Sequence, residues 1–164
     1  MRGWDGDVAA TVREWFPAAE GLSDDELRHE LVRTMGVETQ HLGPVTLEMG
    51  DGTMTMSARL KGGGQVVRSM VTEYDYDEGR QRVTLVAEKF FLPTSEAKRA
   101  QHGYPKGYGT KSFSRLVDTA GRLGIEKIET EAAGTSDSDL NGYATWPALG
   151  YDGPIQGVTY DVTA

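Results

Sequence analysis

The chain opens with two stretches whose apolar residues recur at helical spacing. Val8, Val12, Trp15 and Phe16 fall at i, i+4, i+7 and i+8, which predicts a helix over residues 7–17 with Asp7 as its N-cap and Pro17 as its stop. Ser23-Asp24-Asp25-Glu26 has the form of a capping box, in which the Ser and Glu side chains satisfy each other's backbone amides. It predicts a second helix with Leu27, Leu31, Val32 and Met35 on its buried face and Gly36 at its end. The period then changes to 2. Val45, Leu47 and Met49 alternate with polar residues, Gly50-Asp51-Gly52 signals a hairpin turn, and Met54, Met56, Ala58 and Leu60 alternate in the next run. Gly62-Gly63-Gly64 makes another turn, residues 65–74 read as a third strand, 75–80 as a polar turn and 81–92 as the most apolar strand. Residues 93–106 read as an irregular loop. A helix follows over 109–123, with Phe113, Leu116, Val117, Ala120 and Leu123 on one face and Gly124 at its end. Then come a strand over 125–132, a short helix over 137–149 and a last strand over 157–163.

The order is αα, ββββ, α, β, α, β, an α/β chain with a mixed sheet. A strand, a helix and a further strand on short connections form a βαβ unit, so those two strands are expected to be parallel neighbours. No internal repeat or low-complexity linker divides residues 1–164, which therefore read as a single domain. Charge narrows the partners. With 17 Lys+Arg against 25 Asp+Glu the net charge is −8, which argues against a generic nucleic-acid binder. Cysteine is absent, so disulfides, thiol nucleophiles and Cys-based zinc sites are excluded, and three isolated histidines make no metal centre. No apolar run approaches the ~20 residues of a membrane span. Met1-Arg2-Gly3-Trp4-Asp5 lacks the apolar core of a signal peptide, so the expected location is the cytoplasm, with no membrane partner. Glycine is the compositional outlier, at 21 of 164 residues, nearly twice the ~7% average.

The glycines that matter for function stand in Tyr104-Pro105-Lys106-Gly107-Tyr108-Gly109-Thr110, between the most apolar strand and an amphipathic helix. A helix start offers unpaired amides and the positive end of the dipole, and glycine lets an anion approach the backbone. Lys106 adds a positive charge. The segment is therefore a candidate site for phosphate or pyrophosphate; the alternative is a loop that needs glycine only for its turn. A P-loop ending in Lys111-Ser112 is excluded, because Pro105 and Thr110 occupy its glycine positions. The dinucleotide fingerprint fails because position 112 is Ser.

Tyr104 to Gly109 resembles the motif [QR]-x-x-G-x-[GA] of the GNAT superfamily of acetyl-CoA-dependent transferases, with Gly107 and Gly109 at its fixed positions and Tyr104 where Gln or Arg is usual. Leu123-Gly124-Ile125-Glu126-Lys127-Ile128 resembles that superfamily's helix exit and fifth strand, and Leu149-Gly150-Tyr151 its [LM]-G-[FY] signature. The element order is similar from residue 7 onward, apart from the usual first strand. The resemblance implies an α+β fold: a mixed, mostly antiparallel twisted sheet flanked by helices. It also implies an acyl-CoA-dependent N-acyltransferase that moves an acetyl group from acetyl-CoA to a primary amine, with no metal. The pantetheine arm would pair with the backbone of Phe90, Phe91 and Leu92. The pyrophosphate would lie on the amides of Gly107, Tyr108, Gly109 and Thr110 beside Lys106, and Asn141 would hydrogen-bond the cofactor.

Direct attack of an amine on a thioester needs a base, and often an acid for the departing thiolate. Ala87-Glu88 resembles the pair that supplies the base in the histone-acetylating branch, which makes Glu88 the first candidate and Glu131 the second. The acid position, four residues before Gly150, holds Trp146, and an indole cannot deliver a proton to a thiolate. Tyr143 is the nearest phenol, although Tyr143, Trp146 and Leu149 also suit a packed helix face. The acidic surface favours a cationic acceptor, either a small molecule or a protein amine. The alternative is a catalytically inactive binding or regulatory module of the same fold, acting through protein contacts; Trp146 and Tyr104 favour it. Elsewhere, Glu73-Tyr74-Asp75-Tyr76-Asp77-Glu78-Gly79 lacks the later bidentate Glu of a calcium loop and reads as a solvated hairpin tip. Ser112 and Ser114 are not in a nucleophile elbow. Met49, Met54 and Met56 read as core or cleft wall.

Overall fold

The computed structural model describes residues 1–130 and 158–161. Helix α1 runs Gly6–Trp15 and is capped by Asp5, whose carboxylate accepts from the Val8 amide at 2.9 Å. The expected cap, Asp7, instead lies inside the first turn, where its charge favours the helix dipole. Helix α2 runs Asp24–Arg33 behind the full capping box, with the Glu26 amide to Ser23 Oγ at 3.1 Å and the Ser23 amide to Glu26 Oε2 at 2.7 Å. Its exit tightens: the amides of Thr34, Met35 and Gly36 each reach a carbonyl three residues back. Gly36 takes φ 73, and a Cβ there would sit 2.7 Å from the Ser112 carbonyl oxygen.

Strands β1 (Thr46–Gly50), β2 (Thr53–Arg59), β3 (Gln65–Asp75) and β4 (Arg80–Phe91) form an antiparallel meander. Asp51-Gly52 closes the first hairpin, with Gly50 opposite Thr53 and Gly52 at φ 65, the turn chemistry such a loop demands. The third hairpin tip is held locally. The Asp75 carboxylate accepts from the amides of Asp77 and Glu78 and pairs with Arg82 at 2.8 Å. Among the described residues no group of acidic or histidine side chains is arranged to hold a metal ion.

The connection after β4 is more ordered than its irregular sequence suggests. Residues Glu96–Gln101 form a short helix, α3, with Ser95 Oγ accepting from the Lys98 amide. It buries none of its residues, so it has no apolar stripe to betray it. Helix α4 (Tyr108–Leu123) ends in a Schellman motif: Gly124 at φ 79 donates to Gly121 O, and Ile125 donates to Ala120 O. Ile125 thus belongs to the helix exit, and strand β5 covers Lys127–Thr130. It pairs parallel with β4, as the βαβ unit predicts, and antiparallel with β6 (Val158–Asp161). The sheet order is β1-β2-β3-β4-β5-β6, so the fold is α+β with an open, mostly antiparallel sheet. Val12, Trp15, Leu27, Leu31, Leu116 and Leu123 from the helices share one core with Leu47, Met54, Met56, Met70, Leu85 and Ile128 from the sheet. Met54 and Met56 are fully buried. The helix expected over 137–149, with Asn141, Tyr143, Trp146 and the Leu149-Gly150-Tyr151 signature, lies outside the described residues, as does Glu131.

Candidate functional site

The site begins with a break in the β4 ladder. On β3, Arg68 faces Ala87 and Val67 faces Lys89, so Glu88 is an extra residue without a partner, a β-bulge. The bulge switches which side chains turn inward. Val83, Leu85 and Ala87 are buried before it, and Phe90 and Leu92 pack on the core after it. Without the extra residue, the period of 2 would turn Lys89 and Phe91 inward instead. Glu88 itself is exposed and makes no hydrogen bond or ion pair with another described residue. Phe91 is 48% exposed.

Arg68 braces this break from below. It is 4% exposed, and its guanidinium donates to Lys89 O at 3.0 Å and Val67 O at 3.3 Å, with Met35 O at 3.4 Å. It also lies 5.7 Å from the centre of the Phe90 ring. On the other flank of β4, the paired register with β5 runs from Thr84 opposite Lys127 to Ala87 opposite Thr130, where Thr130 Oγ1 donates to Ala87 O at 3.1 Å. Among the described residues, β4 from Glu88 to Phe91 has no β5 partner.

The glycine segment approaches α4 as a pinned turn. Tyr104 and Tyr108 are buried, whereas Pro105, Lys106 and Gly107 between them are exposed. The Tyr108 hydroxyl accepts from the Glu38 amide at 3.1 Å and shares a hydrogen bond with His41 Nδ1 at 2.9 Å. The Tyr104 ring stacks on His41 at 4.3 Å, and its hydroxyl donates to Lys61 O at 2.8 Å. Burial pushes both phenols above their ordinary pKa; the nearby Tyr108 adds to this for Tyr104, and the Glu38 charge for Tyr108. Tyr108, one of the expected cofactor contacts, turns its side chain inward. Its hydroxyl is committed to the core, and its amide donates to Pro105 O at 3.2 Å. The Tyr104 side chain likewise turns inward.

What the turn presents is backbone. Gly107 caps α4 at φ 76, a conformation that favours glycine, and has no side chain to accept from the first-turn amides. The first amide to enter the helix ladder is Lys111, donating to Gly107 O at 3.1 Å. The Gly109 and Thr110 amides have no acceptor among the described residues, and Thr110 is exposed. A Cβ built at Gly109 meets nothing within 4 Å, and its φ is not in the left-handed region. Neither crowding nor strain inside the protein demands glycine at this position. A cavity of about 20 Å³ lies between this end of α4 and the bulge, lined by Arg68, Ala87, Phe90, Gly109, Ser112 and Phe113. The buried Ser112 hydroxyl has no protein hydrogen-bond partner among the described residues.

Of the expected cofactor contacts, the structure thus gathers Lys106, Gly107, Gly109 and Thr110 at one helix start, with Phe90 lining the cavity next to it. Glu88 sits at the bulge, two residues before Phe90 on β4. His41, Glu38, Arg68 and Arg115 support the site and carry no motif. The parity switch across Glu88-Lys89 was the one sequence signal that could have located the bulge. Searches of protein-family models and of curated protein sequences found no match for the chain.

Proposed function

We propose that the protein is an acyl-CoA-dependent N-acyltransferase that transfers an acetyl group from acetyl-CoA to a primary amine. The observation that carries this reading is Gly109. Gly109 is the second residue of α4, and neither a left-handed φ nor a close contact with a described residue requires glycine there. A ligand that must approach the backbone closely does require it. Two amides without an acceptor among the described residues, at the positive end of a 16-residue helix, suit an anion of the pyrophosphate class.

In this reaction the amine nitrogen bonds to the thioester carbonyl carbon, the C–S bond breaks, and CoA leaves as the thiolate. The amine's proton passes to a base, directly or through one water. Glu88 fits that part: it stands exposed on the bulge and is not neutralised by another described residue. The residues present fit the pyrophosphate; they do not specify the amine.

The test is a titration of acetyl-CoA by calorimetry, followed by thiol release across a panel of amines. Saturable binding and acceptor-dependent thiol release support the transferase. Saturable binding with no turnover on any amine favours the binding-module reading. Absence of saturable binding refutes both.

A further inference from the structure

The polar cluster beneath the glycine turn is larger than a packed core requires. His41 is 3% exposed and stands at the end of a short 3-10 turn, Thr39–His41, between α2 and β1. Its Nδ1 meets the Tyr108 hydroxyl at 2.9 Å, and its ring is sandwiched by Tyr104 and by the edge of Tyr108 at 5.3 Å. The Lys61 amide donates to His41 O at 2.9 Å, while Lys61 O accepts from Tyr104, so one residue after β2 ties both partners together. Glu38 gives its amide to Tyr108 and its carboxylate to Arg115 at 2.6 Å, and the Arg115 guanidinium lies 5.4 Å from the centre of the Tyr108 ring. Arg115 is itself on α4, so the first two turns of that helix are held at both ends.

Burying a hydroxyl and an imidazole gains little net stability over apolar packing, because each gives up its water. What directional bonds add is position. A tyrosine oxygen carries one proton and two lone pairs. It accepts from Glu38 and pairs with His41, so both its height and its rotation are set. Tyr108 is the first residue of α4, and the amides without acceptors belong to the next two residues.

We infer that Tyr108 and His41 are positioning residues for the anion site: their hydrogen bond fixes the first turn of α4 so that the Gly109 and Thr110 amides converge on the ligand. The inference rests on the acetyl-CoA reading above and adds the device that orients the site.

The experiment compares wild type, Tyr108→Phe, His41→Asn and His41→Leu, with Val12→Ala as a control for lost stability alone. Val12 is fully buried on α1, away from the turn. Three readouts are taken: Kd for acetyl-CoA, kcat at saturating acetyl-CoA, and the hydrogen exchange of Lys111, whose amide closes the first turn of α4 on Gly107 O, in the unligated protein. Losing one such bond is expected to raise Kd about 3- to 10-fold with kcat changed less than about twofold. Val12→Ala should lower the melting temperature and leave Kd alone. An Asn carbonyl reaches roughly where Nδ1 stands, so His41→Asn should fall between wild type and His41→Leu. Faster exchange at Lys111 in Tyr108→Phe supports the inference whether or not acetyl-CoA is the ligand. Unchanged exchange there overturns it. If wild type binds acetyl-CoA and Tyr108→Phe binds it within twofold, the inference fails while the acetyl-CoA reading stands. If wild type binds none, that reading fails and the exchange data alone decide. Should Tyr108→Phe not fold, the two His41 variants carry the same comparison.

Discussion

Gly109→Ala separates a glycine kept for a ligand from a glycine kept for the fold, because the two roles predict opposite signs. Gly109 is the second residue of α4, its φ is outside the left-handed region, and a Cβ there touches nothing within 4 Å. Alanine therefore costs no strain and no clash. It restricts the unfolded chain and suits the helix better, which should stabilise the unligated protein by about 0.4–1 kcal/mol. At this chain length that is an increase of about 1–4 °C in melting temperature. The same methyl group stands beside the two amides that have no acceptor, so a phosphate can no longer reach the backbone at hydrogen-bonding distance. Losing one charge-assisted bond, at about 1.5–3 kcal/mol, predicts a Kd for acetyl-CoA weaker by roughly 10- to 150-fold. Thermal denaturation with and without acetyl-CoA measures both effects on one sample. A destabilised variant would refute the structural half of the reasoning, and a stabilised variant with unchanged affinity would refute the ligand half.

Gly36 and Gly124 form a matched pair at φ 73 and φ 79. Gly124→Ala, whose Cβ comes no closer than 3.9 Å to another atom, should cost about 1–2 kcal/mol from the left-handed backbone alone. Gly36→Ala adds contacts of 2.7 Å to the Ser112 backbone oxygen and hydroxyl, so urea titration should show a further loss of about 1–3 kcal/mol; equal midpoints would contradict the close approach of α2 and α4. Burial raises the folded pKa of Tyr104 and Tyr108, so their contribution is complete below the unfolded value of about 10 and is lost as pH rises through the folded values. Stability measured between pH 9 and 11 should therefore fall, and Tyr104→Phe should flatten the slope. Glu88→Gln keeps the bulge and removes the base, so kcat should drop about 10²- to 10⁴-fold with the Kd for acetyl-CoA unchanged; retained turnover would move the role to another group.

The legible parts of the sequence were those in which a local rule and the core agreed. Ser23 and Glu26 announced α2 because both halves of the capping box lie within four residues. The meander was visible because Leu47, Met54 and Met56 alternate between turns rich in glycine. Asp5 was overlooked in favour of Asp7 because an acidic residue suits both the cap and the first turn, and only the position of Val8 decides which one accepts its amide. Helix α3 has strong helix formers and a Ser cap but buries nothing, so a search for apolar periodicity passes over it. The cluster around His41 was not legible at all. His41, Lys61, Tyr104 and Tyr108 come from three separate segments, and only the tertiary fold brings them together.

The site divides its labour in a way that predicts where substitutions will matter. The groups proposed to meet the ligand are main-chain amides at Gly109 and Thr110 and one unpartnered carboxylate at Glu88. The groups that place them, namely Tyr104, Tyr108, His41 and Arg68, are all at most 5% exposed. Backbone amides survive most changes of side chain, so the exposed Pro105 can vary without altering what the turn presents. The buried residues cannot vary so freely, because each fixes a direction as well as filling a volume. Arg68 shows the point most sharply. An apolar residue of similar volume could fill the core beneath the bulge, but it could not donate to Lys89 O, the carbonyl just past the extra residue. The bulge, and with it the inward turn of Phe90 and Leu92, therefore depends on a buried cation carried by the neighbouring strand β3.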